Sequence, residues 1–109
     1  MPTETEVHMD VTVVNAPEND RYEVRVDGEL AGYAEYMATE QVTVFTHTEV
    51  FDKFEGKGLG GVLAKGALDD VRAGGRGVLP LCPFIKGWIE RHPDYADLVV
   101  EDPRGAQTG

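Results

Sequence analysis

The chain has 109 residues, 41% of them hydrophobic and 28% charged, with a formal net charge of -10 at pH 7. This length suits one domain, no apolar run approaches the ~20 residues of a membrane span, and the acidic balance argues against general nucleic-acid binding, which depends on lysine and arginine. The single cysteine excludes an internal disulfide and fits a reducing cytosol, the histidines give no zinc pattern, and the acidic N-terminus is not a secretory signal, so we expect a cytoplasmic protein without a metal.

Hydrophobic alternation and β-branched residues in the first half of the chain predict strands. These are an optional strand at residues 11–14, a strand with Tyr22, Val24 and Val26 on one face, residues 29 to about 37, and residues 41–50. The dipeptide Asp27-Gly28 between the second and third is a strong two-residue hairpin signal. Three neighbouring antiparallel strands, from Tyr22 onward, are the simplest arrangement.

The second half of the chain predicts two helices around a short strand. Apolar residues at spacings of three and four define an amphipathic helix that ends at Gly74-Gly75, namely Leu59, Val62, Leu63, Ala67, Leu68 and Val71. Residues 78–81 are an apolar strand, parallel to the third long strand because a helix connects the two. Pro83 starts a second helix, with Phe84, Ile85, Trp88 and Ile89 as its apolar face and His92-Pro93 at its end. Residues 98–100 either add an edge strand or dock.

The element order is therefore β-β-β-α-β-α. We expect an α+β (mixed α/β) fold with a mostly antiparallel sheet and helices packed on it. One domain would cover residues 1–109, with an ordered core of about residues 8–101 and flexible tails at 1–7 and 102–109.

The most informative segment is the glycine-rich loop Glu55-Gly56-Lys57-Gly58-Leu59-Gly60-Gly61, between a strand and a helix. Such a loop lets backbone N–H groups approach an anion, and the positive end of the following helix points at the same place. A phosphate-bearing ligand is therefore expected. A Walker loop is excluded because no serine or threonine follows Lys57, and a dinucleotide-binding fold is excluded because residues 77–82 carry no acid.

The loop resembles the pyrophosphate loop of the GNAT acetyltransferases, with the pattern Gln/Arg-x-x-Gly-x-Gly/Ala. Gly58 and Gly60 match, while Glu55 stands where glutamine or arginine is usual. The segments His47-Thr48-Glu49-Val50, Leu81-Cys82-Pro83-Phe84-Ile85 and His92-Pro93-Asp94-Tyr95 are similar to a GNAT-like subfamily of short chains with a single cysteine after the strand that follows the loop helix. The resemblance covers roughly residues 11–100 and implies a minimal GNAT-like acyl-CoA N-acyltransferase fold.

This resemblance implies that acetyl-CoA is the cosubstrate and that an amine of a small molecule or a protein is the acceptor. The pantetheine arm would enter a splay between the strand ending at Val50 and the strand ending at Cys82, and pair with backbone groups near Glu49, Val50 and Phe51. The expected cofactor-binding residues are Glu49, Val50, Glu55, Gly56, Lys57, Gly58, Leu59, Gly60, Gly61, Cys82 and Phe84. The helices that wall the acceptor site in larger GNATs are missing, which implies an open acceptor side suited to a large acceptor or to a homodimer.

Three side chains are candidates for catalysis: Cys82, His47 and Glu49. His47 and Glu49 lie two apart on a strand and so share a face, where either would take the proton that an acceptor amine must lose. The alternative is that His47 is a core histidine and Glu49 is a surface charge at the end of the strand. Cys82 ends a parallel strand just before a helix start, where it would carry the acetyl group, protonate the leaving thiolate or line the slot. The alternative is a buried small hydrophobe.

Two other functions stay open on the sequence. One is a non-catalytic acyl-CoA-binding or sensing module that acts through a protein partner, and the other is a glycine-loop protein for a different phosphate. Tyr33, Tyr36 and Met37 are candidates to line an acceptor groove, although no sequence signal places them there.

Overall fold

The computed structural model of the chain describes residues 10–100, so the tails predicted at 1–7 and 102–109 lie outside the described residues. The strands and helices are β1 (Val11–Ala16), β2 (Arg21–Val26), β3 (Glu29–Ala38), β4 (Val42–Val50), α1 (Leu59–Ala73), β5 (Gly77–Pro80) and α2 (Pro83–Arg91). Short 3-10 helices occupy Pro17–Asn19, Asp52–Phe54 and Pro93–Leu98. The predicted α+β fold is confirmed, and the optional first strand is formed, which adds one strand at the start of the predicted order.

The strands form one five-stranded sheet in the order β1-β2-β3-β4-β5. Neighbours are antiparallel except for β4 and β5, which run parallel because α1 connects them. At the β2–β3 hairpin, Asp27 has φ 51° and Gly28 has φ 86°. A two-residue turn needs such positive angles to match the twist of its strands, which is why this dipeptide predicts the hairpin correctly.

Helix α1 packs its apolar stripe on one face of the sheet. The buried stripe consists of Leu59, Leu63, Ala64, Ala67, Leu68 and Val71. It meets sheet residues such as Val24 and Phe45, both fully buried, in a single core cluster. A Cβ added at Gly66 would lie 2.8 Å from the Cβ of Val13, so this glycine lets the helix approach β1 closely.

Helix α2 starts at Pro83 and buries Ile85, Trp88 and Ile89 in the same cluster as α1. Phe84 was predicted on this apolar face, but its side chain is 38% exposed and lies against the first turn of α1 instead. After α2 the chain docks beside β5 through a single parallel bridge between Val78 and Val99, so it does not add a full edge strand.

The other face of the sheet carries exposed side chains. On β3 and β4 these include Glu35, Met37, His47 and Glu49, which alternate with residues directed toward α1. We call this surface the open face.

Candidate functional site

The glycine loop before α1 is shaped by two glycines with positive φ. Gly56 has φ 83° and Gly58 has φ 74°, angles that L-residues rarely adopt. Helix α1 begins at Leu59 without a side-chain cap. Within residues 10–100, no hydrogen-bond acceptor meets the backbone N–H groups of residues 56–61. Unpaired N–H groups at the positive end of a helix favour an anion such as a pyrophosphate.

Side chains around the loop set its walls and its charge. Lys57 and Glu55 are both exposed on it. A Cβ added at Gly60 would lie 2.8 Å from Cζ of Phe84, and one added at Gly61 would lie 3.5 Å from Nε1 of Trp88. The loop is therefore built against α2, and Phe84 walls it as an exposed ring.

A β-bulge interrupts β4 beside this region. Glu35 pairs with His47, but the next residue of β3, Tyr36, pairs with Phe45, so Thr46 is the extra residue. A bulge of this kind changes which residues face each side of the sheet. Phe45 faces the core before it, whereas His47 after it is 56% exposed on the open face. His47 is therefore not a core histidine.

Strands β4 and β5 separate at the same place. Their parallel pairing ends at Phe45 and Pro80, and the N–H groups of Leu81 and Cys82 both donate to the Phe45 carbonyl at 3.0 Å. Beyond this carbonyl, β4 continues to Val50, whereas the segment after β5 turns away into α2. The two strands thus diverge where the resemblance expected a slot for the pantetheine arm.

Some backbone N–H groups of β4 face the gap that opens between β4 and β5. The Phe51 N–H donates to the Ala31 carbonyl across β3, and backbone groups alternate in direction along an antiparallel pair. The N–H groups of Thr48 and Val50 therefore point into the splay. The backbone groups of Glu49 and Phe51, which were also expected to pair with the cofactor, point toward β3.

Cys82 lies at the other wall of the splay, at the N-terminal cap of α2, and is buried. Its Sγ donates a hydrogen bond to Oγ1 of Thr48 at 3.2 Å. Thr48 faces the core side of the sheet, between His47 and Glu49, which face the open side. The structure therefore does not bring the three candidate catalytic side chains together. Sequence reasoning missed Thr48, because a threonine in a β-branched strand carries no signal of its own.

A second cluster forms on the open face. His47 Nε2 lies 3.7 Å from Glu49 Oε1, and the Tyr33 hydroxyl donates to the same oxygen at 3.0 Å. The guanidinium of Arg21 covers the Tyr33 ring at 4.7 Å from its centroid. The hydrogen bond to Glu49 raises the pKa of Tyr33, because the carboxylate favours the protonated phenol. Tyr33 thus fixes one face of the Glu49 carboxylate, and His47 lies at its side.

Residues 10–100 contain no group of three or more histidine, cysteine or acidic side chains placed to hold an ion. In the same range, no helix combines the length and the apolarity needed to cross a membrane.

Comparison with known proteins gives one family. A family model described as GCN5-related N-acetyl-transferase matches residues 21–98. The match includes the glycine loop, the bulge of β4, both walls of the splay and the open-face cluster. No curated protein matches the chain in a sequence comparison.

Proposed function

Because the chain belongs to the GCN5-related N-acetyltransferase family, we propose that it binds acetyl-CoA and transfers the acetyl group to an amine acceptor, a small molecule or a protein. Membership supports acyl-CoA-dependent N-acetyl transfer in general. The observation that carries the proposal for this chain is the splay of β4 and β5 beside a loop of unpaired N–H groups. Such a pair of features suits a ligand with an amide-bearing arm and a pyrophosphate.

The cofactor would lie along the splay and end at the loop. The N–H groups of residues 56–61 would bind the pyrophosphate, and Lys57 would add a positive charge. The N–H groups of Thr48 and Val50 would bind pantetheine carbonyls as an added strand does. Phe84 would cover the arm at the first turn of α1. Glu55 adds a negative charge where the family pattern has glutamine or arginine, so affinity depends more on the backbone groups.

The chemistry proposed is direct attack. The acceptor amine loses a proton to His47, which Glu49 orients, and its nitrogen lone pair attacks the thioester carbonyl carbon. A C–N bond forms, the C–S bond breaks, and the CoA thiolate leaves. Cys82, on the core side of the splay, would give that thiolate a proton and regain one after CoA has left and water has entered the splay.

The first test is a calorimetric titration with acetyl-CoA, CoA, ATP and NAD in turn. We expect binding of the CoA species only. Failure of a folded protein to bind them would leave the glycines as a tight turn. An amine screen that detects release of the CoA thiol follows, with His47→Ala and Cys82→Ala expected to slow release and Thr12→Ala, an exposed change on the edge strand β1, expected to have no effect.

One observation favours the rival function, a non-catalytic acyl-CoA-binding or sensing module. Cys82 is 3% exposed and lies across the sheet from His47 and Glu49, so no single cluster holds all three groups. CoA-selective binding without thiol release for any amine class would support this rival. Release that depends on His47 would exclude it.

A further inference from the structure

Strand β1 forms one edge of the sheet, at the opposite end from the splay between β4 and β5. It contains no charged residue, no proline and no bulge, whereas Arg21, Glu23 and Arg25 place three charges on the neighbouring strand β2. Natural proteins usually protect an edge strand against pairing with another chain by charges, prolines, bulges or a covering segment. The sequence of β1 provides none of the first three.

The opposite edge of the sheet is also uncharged, but the chain covers it. Strand β5 contains no charged residue, and Val99 forms a parallel bridge with Val78 on its outer side. The Val100 N–H also donates to the Val78 carbonyl at 2.9 Å. Within residues 10–100, β2 is the only segment that pairs with β1. The described part of the chain therefore covers one uncharged edge and leaves the other to a partner.

The register with β2 identifies the backbone groups that β1 directs outward. The Asp27 N–H donates to the Asp10 carbonyl at 2.9 Å, and the pairing continues from there without a shift. Hydrogen-bonded pairs alternate with non-hydrogen-bonded pairs along antiparallel strands. The N–H and C=O groups of Val11, Val13 and Asn15 therefore point away from β2, toward the space beside the sheet.

We propose that β1 is a homodimer interface, in which β1 of a second copy pairs with it antiparallel about a two-fold axis at Val13. In this register Val13 faces Val13 of the second copy, and Val11 faces Asn15. Each facing pair exchanges two hydrogen bonds, so every outward group of these three residues finds a partner. The same surface serves both copies, as a two-fold interface requires, and the two five-stranded sheets become one.

Side chains on both sides of β1 suit a second copy of this strand. On the open face, Val14 is 42% exposed and would lie opposite Thr12 of the second copy. On the helix side, a groove of about 350 Å³ runs between β1 and α1, and Asn15 and Gly66 belong to its lining. Val11 of the second copy would lie opposite Asn15, beside this groove. The pairing therefore covers apolar surface on both faces of the sheet.

The acidic residues near this edge are compensated within one copy. Asp69 and Asp70 of α1 line the groove. Asp70 accepts a hydrogen bond from the Tyr22 hydroxyl at 2.6 Å, and Asp69 accepts one from Lys65 Nζ at 2.9 Å and one from the Tyr95 hydroxyl at 2.7 Å. The partner strand thus needs no positive charge, and β1 of a second copy brings none.

The first test measures the oligomeric state of the full-length chain by sedimentation velocity, without CoA. A short strand interface is smaller than a standard protein–protein interface, so the range from about 1 μM to about 300 μM should contain the dissociation constant. Val14→Lys should weaken the dimer about tenfold, because it replaces apolar contact by a charge at the edge. The matched control is Val99→Lys, since Val99 is 41% exposed at the opposite edge, and it should leave the dissociation constant unchanged.

A second variant, Val11→Pro, removes a backbone donor without touching the β1–β2 ladder. The Val11 N–H points away from β2, and proline is tolerated on an edge strand when its missing N–H is the outer one. Two hydrogen bonds of the dimer are lost, because Val11 faces Asn15 at both ends of the interface. The dissociation constant should rise about tenfold to a hundredfold. Thermal unfolding at a concentration where the unmodified chain is monomeric shows that the variant folds.

Amide exchange of the labelled full-length chain tests the register itself. The N–H groups of Val11, Val13 and Asn15 should exchange fast in dilute solution and slowly in concentrated solution. Those of Thr12 and Val14, which bond to β2, should exchange slowly in both.

Three results would overturn the interface: a chain that stays monomeric at every concentration, a dimer that neither Val14→Lys nor Val11→Pro weakens, or slow exchange of the outward amides in the monomer. The last result would show that the edge is covered within one copy. The inference does not depend on the proposed function, because the splay lies at the other end of the sheet. A chain that dimerises as described but does not bind CoA would refute the proposed function alone.

Discussion

Replacement of Gly58 by alanine tests the glycine loop as an anion site. Gly58 has φ 74°, and a Cβ built there meets no atom within 4 Å. The change therefore adds backbone strain without a clash, about 1–2 kcal/mol for an L-residue in the left-handed region. The melting temperature should fall by about 4–8 °C for each kcal/mol in a chain of this size.

Gly28 is the matched control. It has φ 86° in the β2–β3 turn, also with nothing within 4 Å of an added Cβ. Gly28→Ala should lose the same stability as Gly58→Ala, because the strain is the same. Only Gly58→Ala places a methyl group where the ligand would approach. It would also change the direction of the backbone N–H groups that are expected to bind the ligand.

Calorimetry with CoA separates the two effects. Loss of one hydrogen bond to a charged group is worth about 1.5–3 kcal/mol, so Gly58→Ala should weaken CoA binding by about tenfold to a hundredfold. Gly28→Ala should bind as the unmodified chain does at a temperature where both are folded. Equal CoA affinity in the two variants would refute the assignment of the loop.

Three further predictions concern the ion pairs of Glu23, the open-face cluster around Glu49, and the contact between Cys82 and Thr48. Burial opposes ionisation of Glu23, but hydrogen bonds from its flanking arginines outweigh burial and lower its pKa, so its stabilisation is present at neutral pH and lost as pH falls through the folded pKa. Glu23→Gln should lower the free energy of unfolding by about 1–2 kcal/mol at neutral pH. It should also weaken the fall of that free energy, measured by urea denaturation, as the pH is lowered; an unchanged dependence on acid pH would contradict this. Tyr33→Phe should lower kcat about fivefold at unchanged acetyl-CoA affinity, and Glu49→Gln should lower the pKa of Tyr33 in an absorbance titration; no change in either would remove Tyr33 from the site. Thr48→Val and Cys82→Ala should each slow thiol release, and the double variant no more than either alone, since the two side chains act as a pair; additive effects would show that they act separately.

Local signals made much of the fold predictable. Asp27-Gly28 predicts the hairpin because the turn needs positive φ at both positions, and both have it. The apolar period of α1 predicts its buried stripe, and Pro83 predicts the start of α2. Each of these depends on a few neighbouring residues, so tertiary contacts did not alter them.

The bulge of β4 was not predictable in the same way. Residues 42–50 read as one regular β-branched strand, and nothing in their composition marks Thr46 as the extra residue. The bulge is a mismatch between β4 and β3, which only the paired strands define. Exposure of Phe84 has a similar cause, because it depends on the close approach of Gly60 and not on the period of α2.

The bulge also favours one of the two chemical routes that would involve Cys82. It turns His47 and Glu49 to the open face and leaves Thr48 on the core side, where it accepts a hydrogen bond from the buried Cys82. An acetyl group on Cys82 would lie across the sheet from the amine and from its base. A thioester in the splay would instead meet the amine on one side and release its thiolate on the other. Direct transfer therefore fits this arrangement, and initial rates at varied acetyl-CoA and amine should give intersecting double-reciprocal lines. Parallel lines, with acetyl recovered on Cys82, would show that the thiol reaches the open face during turnover.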